Sequence, residues 1–190
     1  MKSMNDFHVA IDHEFAGIDQ ISSLRGYQID RDDGIKCHCN LHQLKSVDYY
    51  YGYQGKHYKL EFTDLLSQLK QKEAICEELK AAMGSCKART NILKMVMNSI
   101  HQEIVTKFKD TLHISRALHK NLTDVPQEIH ECKMKLIVVT KPMNQEHLST
   151  QQELVKFFEY VKDSLRNSIP HEMFHGVEVI PLDLFQSKYA

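Results

Sequence analysis

Residues 47–65 read VDYYYGYQGKHYKLEFTDL, and the period of this stretch decides the fold. Residues 47–53 are rich in tyrosine and other strand formers, Gln54-Gly55 supplies a two-residue turn, and residues 57–62 return. A β-hairpin is therefore expected. In the returning strand Tyr58, Leu60 and Phe62 share one face, while Lys59, Glu61 and Thr63 share the other. An apolar face must be covered, so the hairpin belongs to a sheet with layers packed on it.

Upstream, EFAGIDQISSLRGYQ spaces Phe15, Ile18, Ile21 and Leu24 at helical intervals, with Gly26 as a stop. DRDDG at 30–34 reads as a turn. IKCHCNL then places Ile35, Cys37, Cys39 and Leu41 on one face of an expected strand. Downstream, Asp64 is a possible N-cap for a helix with Leu65, Leu69, Cys76, Leu79 and Met83 in one stripe. After Gly84-Ser85 a second stripe runs through Leu93, Met97, Ile100, Ile104 and Phe108. Gly84 either turns the chain into a helical hairpin or bends one long helix. KMKLIVVTKP, closed by Pro142, has the pattern of a buried strand. An amphipathic helix follows, with Ser149 or Thr150 as cap and Leu154, Phe157, Phe158, Val161 and Leu165 facing inward, and VEVIPL is the last strand. This order predicts a single α/β domain over 1–190. Its mixed central sheet of about five strands is flanked by helices, with a helical hairpin or arm inserted at about 64–120.

Bulk properties narrow the function classes. Of 190 residues, 42% are hydrophobic, enough for a core, and the formal charge of −1 gives no whole-molecule attraction to nucleic acid or acidic membranes. Local charge is uneven. Residues 1–34 hold seven acidic side chains against three basic ones, and residues 87–120 hold seven basic against two acidic. No window approaches the length of a membrane span, and charge interrupts every N-terminal stretch where a signal peptide's apolar run would sit. With five cysteines, an odd number, a reduced, cytoplasmic protein is expected.

Three constellations carry possible chemistry. His171-Glu172-Met173-Phe174-His175 matches the H-E-x-x-H pattern of zinc peptidases, which needs a helix through all five residues to put both histidines on one face. Pro170 before it and Gly176 after it leave room for about one turn, so the stretch reads as a loop. Cys37 and Cys39, with His42 nearby and His130 and Cys132 from a distant segment, offer soft ligands for a zinc-stabilised interaction module. A C-x-C pair on a strand lacks the turn that structural zinc sites use, and two half-buried core thiols are the plainer reading. The third constellation lies in the hairpin. Asp48 and Glu61, on adjacent strands, can converge on a divalent cation such as Mg²⁺, with a nearby lysine to position or activate water for phosphodiester cleavage.

A helix, a hairpin carrying VD…LEF, then helix, strand, helix and strand resembles the restriction-endonuclease-like, PD-(D/E)xK fold. The resemblance spans roughly residues 14–83 and 133–183 and rests mostly on element order. It implies that Asp48 and Glu61 bind magnesium. Val47 stands where the family's proline usually does, and Thr63 stands where the motif requires lysine. The resemblance therefore leaves the lysine to Lys59, on the same strand face, or Lys70, on the next helix, with Gln68 also facing the site. Without such a lysine, the chain is expected to be an accessory, non-catalytic subunit of a cytoplasmic nucleic-acid-processing or defence complex; with one, a Mg²⁺-dependent DNA or RNA nuclease. The methionine-rich arm is expected to dock a protein partner or a second copy, while Lys94, Lys107, Lys109 and Arg116 point outward to contact phosphates.

Overall fold

In the computed structural model, which describes residues 1–21, 23–84, 87–130, 134–142 and 148–190, the chain opens with β1 (Lys2–Ser3) and β2 (His8–Ala10). β3 (Arg25–Gln28), the single helical turn α1 (Ile35–His38) and the hairpin strands β4 (Tyr49–Tyr53) and β5 (Lys56–Phe62) follow. Two long helices, α2 (Leu65–Ala82) and α3 (Lys87–Asn121), lead to β6 (Leu122–Thr123), α4 (Gln127–His130) and β7 (Met134–Thr140). α5 (Leu148–Ser168), β8 (Phe174–Pro181) and α6 (Leu182–Tyr189) complete it.

Among the described residues the main sheet has six strands in the order β2-β3-β4-β5-β7-β8, antiparallel from β2 to β5 and parallel from β5 to β8. The architecture is mixed α/β, as the hairpin implies. Gln54 (φ 48°) and Gly55 (φ 71°) both take positive φ, the geometry of a tight two-residue turn whose twist matches its strands. Parallel neighbours cannot be joined by a tight turn, so the α2–α3 pair and α5 serve as the crossovers.

Strand alternation splits the core into two layers. On one face Tyr50, Leu136 and Val138 pack with Ile104, Phe108 and Leu112 of α3 and with Leu154, Phe158 and Val161 of α5. On the other, Tyr49, Leu60, Ile137 and Val139 meet Ile11 and Phe15 of the N-terminal segment and Phe185 of α6. Hydrogen bonds fix α3 against β4. The Val47 N–H donates to Thr111 Oγ1 (3.0 Å), and the Tyr50 and Ser115 hydroxyls pair at 2.7 Å.

Several local expectations change. Residues 14–21, 23 and 24 are not helical, because Phe15 and Ile21 reach the sheet from an irregular segment held by His13 and Gln20. Gln20 accepts from the His13 main-chain N–H and donates to its carbonyl, both at 3.0 Å. Residues 35–38 form α1 rather than a strand, so Cys37 and Cys39 diverge. Ile35 caps the core there, and Gly34 precedes the turn at a spot where a Cβ would lie 2.6 Å from the Ile29 carbonyl oxygen. α2 and α3 are separate helices that pack on each other. α5 begins at Leu148, ahead of both expected caps; the side chains of Ser149, Thr150, Leu93 and Met97 lie outside the described residues. Among the described residues, no helix is long and apolar enough to cross a membrane.

Candidate active site at the end of the central hairpin

The end of the sheet where β4 begins and β5 finishes carries a pocket of about 530 Å³. In open α/β sheets the carboxyl ends of parallel strands are the usual place for a ligand. Asp48 and Tyr49 enter the pocket from the start of β4, and Phe62, Thr63, Asp64 and Gln68 from the β5–α2 connection. The loop after β2 brings Asp12, His13, Glu14 and Phe15, the turn after β3 brings Asp30 and Arg31, and Lys107 reaches down from α3.

Glu61 lies behind this pocket, between the lining residues Asp48 and Lys107 rather than in the lining itself, and is only 2% exposed. Its Oε1 accepts from Lys107 Nζ at 2.6 Å, and its Oε2 is buried with no hydrogen-bond partner. Such an orphaned carboxylate oxygen is costly and calls for a cationic or donor partner. Asp48 folds back on the hairpin, its Oδ2 accepting from the Phe62 N–H at 2.6 Å. Burial pushes the Asp48 carboxyl up to about 6, against the Phe62 hydrogen bond and the Lys107 charge that lower it. Burial and the neighbouring Asp48 charge push Glu61 well up as well, with Lys107 opposing. Burial alone would lower Lys107, but Glu61 and Asp48 outweigh it and raise the ammonium. Two carboxylates crowded together with one cation is the electrostatic state that a divalent ion relieves.

Thr63, in the motif's lysine position, accepts from Gln68 Nε2 at 2.9 Å. Asp64 caps α2 through the Ser67 N–H (2.9 Å) and lies 3.6 Å from Lys141. Although burial raises it, those bonds hold its carboxyl below the ordinary value. Among the described residues, no three His, Cys, Asp or Glu side chains form a ready-made metal cage. Magnesium needs none, since it keeps most of its water and is held through one or two carboxylates plus substrate phosphate.

The lysines expected near Glu61 take different places. Lys59 shares the strand face of Glu61, is fully buried with its ammonium 4.7 Å from the Phe108 ring centroid and, like Glu61, lies outside the pocket lining. Lys70 is exposed on α2 and lies outside the pocket lining. Lys107, expected to point outward to phosphate, instead turns inward, bonds Glu61 and lines the pocket. Nothing local in the sequence marks it, because it stands 46 residues from Glu61. Lys109 and Arg116 are exposed and line a groove of about 280 Å³ with His113, Ser168 and Pro170; Lys94 is exposed further up the arm.

The other constellations do not assemble among the described residues. Cys39 turns into the core, 6% exposed, while Cys37 Sγ lies 3.2 Å from His42 Nδ1. The His130 side chain and the whole of Cys132 lie outside the described residues. His171 and Glu172 sit in one 3₁₀ turn, and His175 lies on β8, so the two histidines share no helix face. Comparison with family models, curated proteins and solved structures finds no match to this chain.

Proposed function

We propose that the chain is a divalent-metal-dependent nuclease whose site is Asp48, Glu61 and Lys107. The observation that carries this reading is the division of labour at Glu61: one oxygen is bound by Lys107 and the other is buried and unpartnered beside Asp48. The donor set fits a hard, oxygen-liganded cation, with Glu61 Oε2 and Asp48 as its protein ligands. Such an ion, when bound, would polarise the scissile phosphate and make its water more acidic. Lys107 would hold the Glu61 carboxylate in place and present an N–H to the attacking water or to the phosphate oxygens. Hydrolysis then joins the water oxygen to phosphorus and breaks the P–O bond to the departing sugar oxygen, which leaves with a proton. In this reading Lys107 stands in for the lysine that Thr63 replaces in the PD-(D/E)xK motif, although the helix that the resemblance places before the hairpin is absent from the described residues.

The test is cleavage of single- and double-stranded DNA and RNA with Mg²⁺ or Mn²⁺, comparing wild type with Glu61→Gln and Lys107→Met. Metal-dependent cleavage lost in both variants is the expected result, and Lys59→Met and Lys70→Met are expected to leave the chemistry in place. Inactive, folded wild-type protein whose melting temperature ignores the metal would overturn it.

A second reading, that of a non-catalytic subunit, draws on a different feature. Met95, 72% exposed, and Ile92 lie on the part of α3 beyond the sheet, where a protein partner or a second copy would cover them. Inactive protein that sediments as a complex, and loses that complex on Met95→Glu, would favour it.

A further inference from the structure

Arg31 sits on the pocket wall with φ at +107°, a conformation that L side chains rarely adopt and that clusters where backbone strain serves a site. The turn around it is pinned on all sides. Gly34 N–H donates to the Arg31 carbonyl (3.1 Å), Lys36 N–H donates to the Ile29 carbonyl (3.1 Å), and Lys36 also pairs with the Asp30 carboxylate. The residue is thus held in place by its neighbours rather than by its own preference.

Its guanidinium donates to Asp12 Oδ2 at 2.7 Å, and both side chains remain open to water, 45% and 42% exposed. Asp12 is itself anchored, its N–H donating to the Tyr49 hydroxyl at 3.1 Å. Five carboxylates line the pocket, from Asp12, Glu14, Asp30, Asp48 and Asp64, against two cations. Lys107 is committed to Glu61, so Arg31 is the lining cation whose partner can be exchanged from solvent. An acidic pocket repels a polyanion, and a planar guanidinium at its mouth matches phosphate geometry.

We infer that Arg31 is a substrate-binding residue, latched by Asp12 in the free protein, that takes a backbone phosphate of the nucleic-acid strand as the strand enters the pocket. The inference rests on the nuclease reading of the same pocket and adds how the strand is gripped beside the metal ligands. Asp12 then acts as a competitor for the guanidinium, so its removal favours binding only while Arg31 is present.

The test is fluorescence anisotropy of short fluorescein-labelled oligodeoxynucleotides, single-stranded and duplex, with Ca²⁺ in place of Mg²⁺. Wild type, Arg31→Gln, Asp12→Asn and the double variant are compared, after thermal melts confirm that each is folded. Arg31→Gln is expected to weaken binding about tenfold and to reduce the salt slope by about one. Asp12→Asn is expected to tighten binding, and that gain is expected to vanish in the Arg31→Gln background. Unchanged affinity in Arg31→Gln would overturn the latch, as would a gain from Asp12→Asn that persists without Arg31. If Glu61→Gln abolishes cleavage while Arg31→Gln alters neither affinity nor salt slope, this inference fails and the metal site stands. If wild type neither binds nor cleaves, both fall.

Discussion

Asp48 is where the electrostatics of the site become measurable. Its carboxyl lies at about 6 in the folded protein against an ordinary 3.8, so the native state holds the proton more tightly than the unfolded chain. The unfolded state therefore binds fewer protons between those values, and metal-free stability falls as pH rises from about 4 to above 6. Ionising this buried carboxyl at neutral pH therefore works against the metal-free fold. Asp48→Asn is expected to stabilise the metal-free protein at pH 7.5 and to make no difference near pH 4, as read by urea unfolding at both values. Metal binding needs the ionised carboxylate, so cation affinity in the wild type is expected to weaken as pH drops below about 6. The proximity of Asp48 to Glu61 could be read from the hairpin, because its tight turn sets the start of one strand beside the end of the other. Lys107 could not, since only packing brings it there.

At the level of the element, α3 is the part that brings Lys107 to Glu61 at the sheet end. It docks on β4 through Thr111, whose hydroxyl accepts from the Val47 N–H and donates to the Lys107 carbonyl at 2.7 Å. Thr111→Val keeps the shape, strips the Val47 N–H of its partner in a buried place and is expected to cost roughly 1–3 kcal/mol. Because Lys107 lies one turn before Thr111, the same variant is expected to slow cleavage more than it weakens substrate binding, a split between kcat and KM. Thr111→Ser, which retains the hydroxyl, is expected to recover most of both. The helical stripes of α2 and α3 were legible from their apolar spacing. The expected helix at 14–24 and the expected strand at 35–41 were misleading for one physical reason: short apolar spacings fit either period, and tertiary contacts choose between them. Phe15 and Ile21 satisfy the second core layer from a loop, and Ile35 satisfies the first from a single helical turn.

Across the whole molecule, stability and assembly are divided between regions. Burial on α3 is concentrated from Ile100 onward, where it crosses the sheet, while Ile92, Lys94 and Met95 on its first half are exposed. Met95→Glu is therefore expected to leave the melting temperature unchanged, within about 0.5 kcal/mol of stability. A fall in sedimentation coefficient of the same folded variant, if wild type self-associates, would assign the arm to assembly. The basic groove formed by Lys109, His113 and Arg116 belongs to the sheet-crossing half of α3 and involves the end of α5, a different region from the arm tip.

What the sequence by itself determined is the hairpin, its turn at Gln54-Gly55, and the alternation that sends Leu60 to one core layer and Glu61 to the other. These are properties of a period-two backbone and of two adjacent residues with positive φ, and no distant contact is needed to specify them. The tertiary structure alone decided which lysine reaches Glu61, why its second oxygen is left without a partner, and why Arg31 is held under strain beside Asp12. Each depends on elements far apart in the chain meeting at one end of a sheet, where burial and proximity reset charges that look ordinary in the sequence.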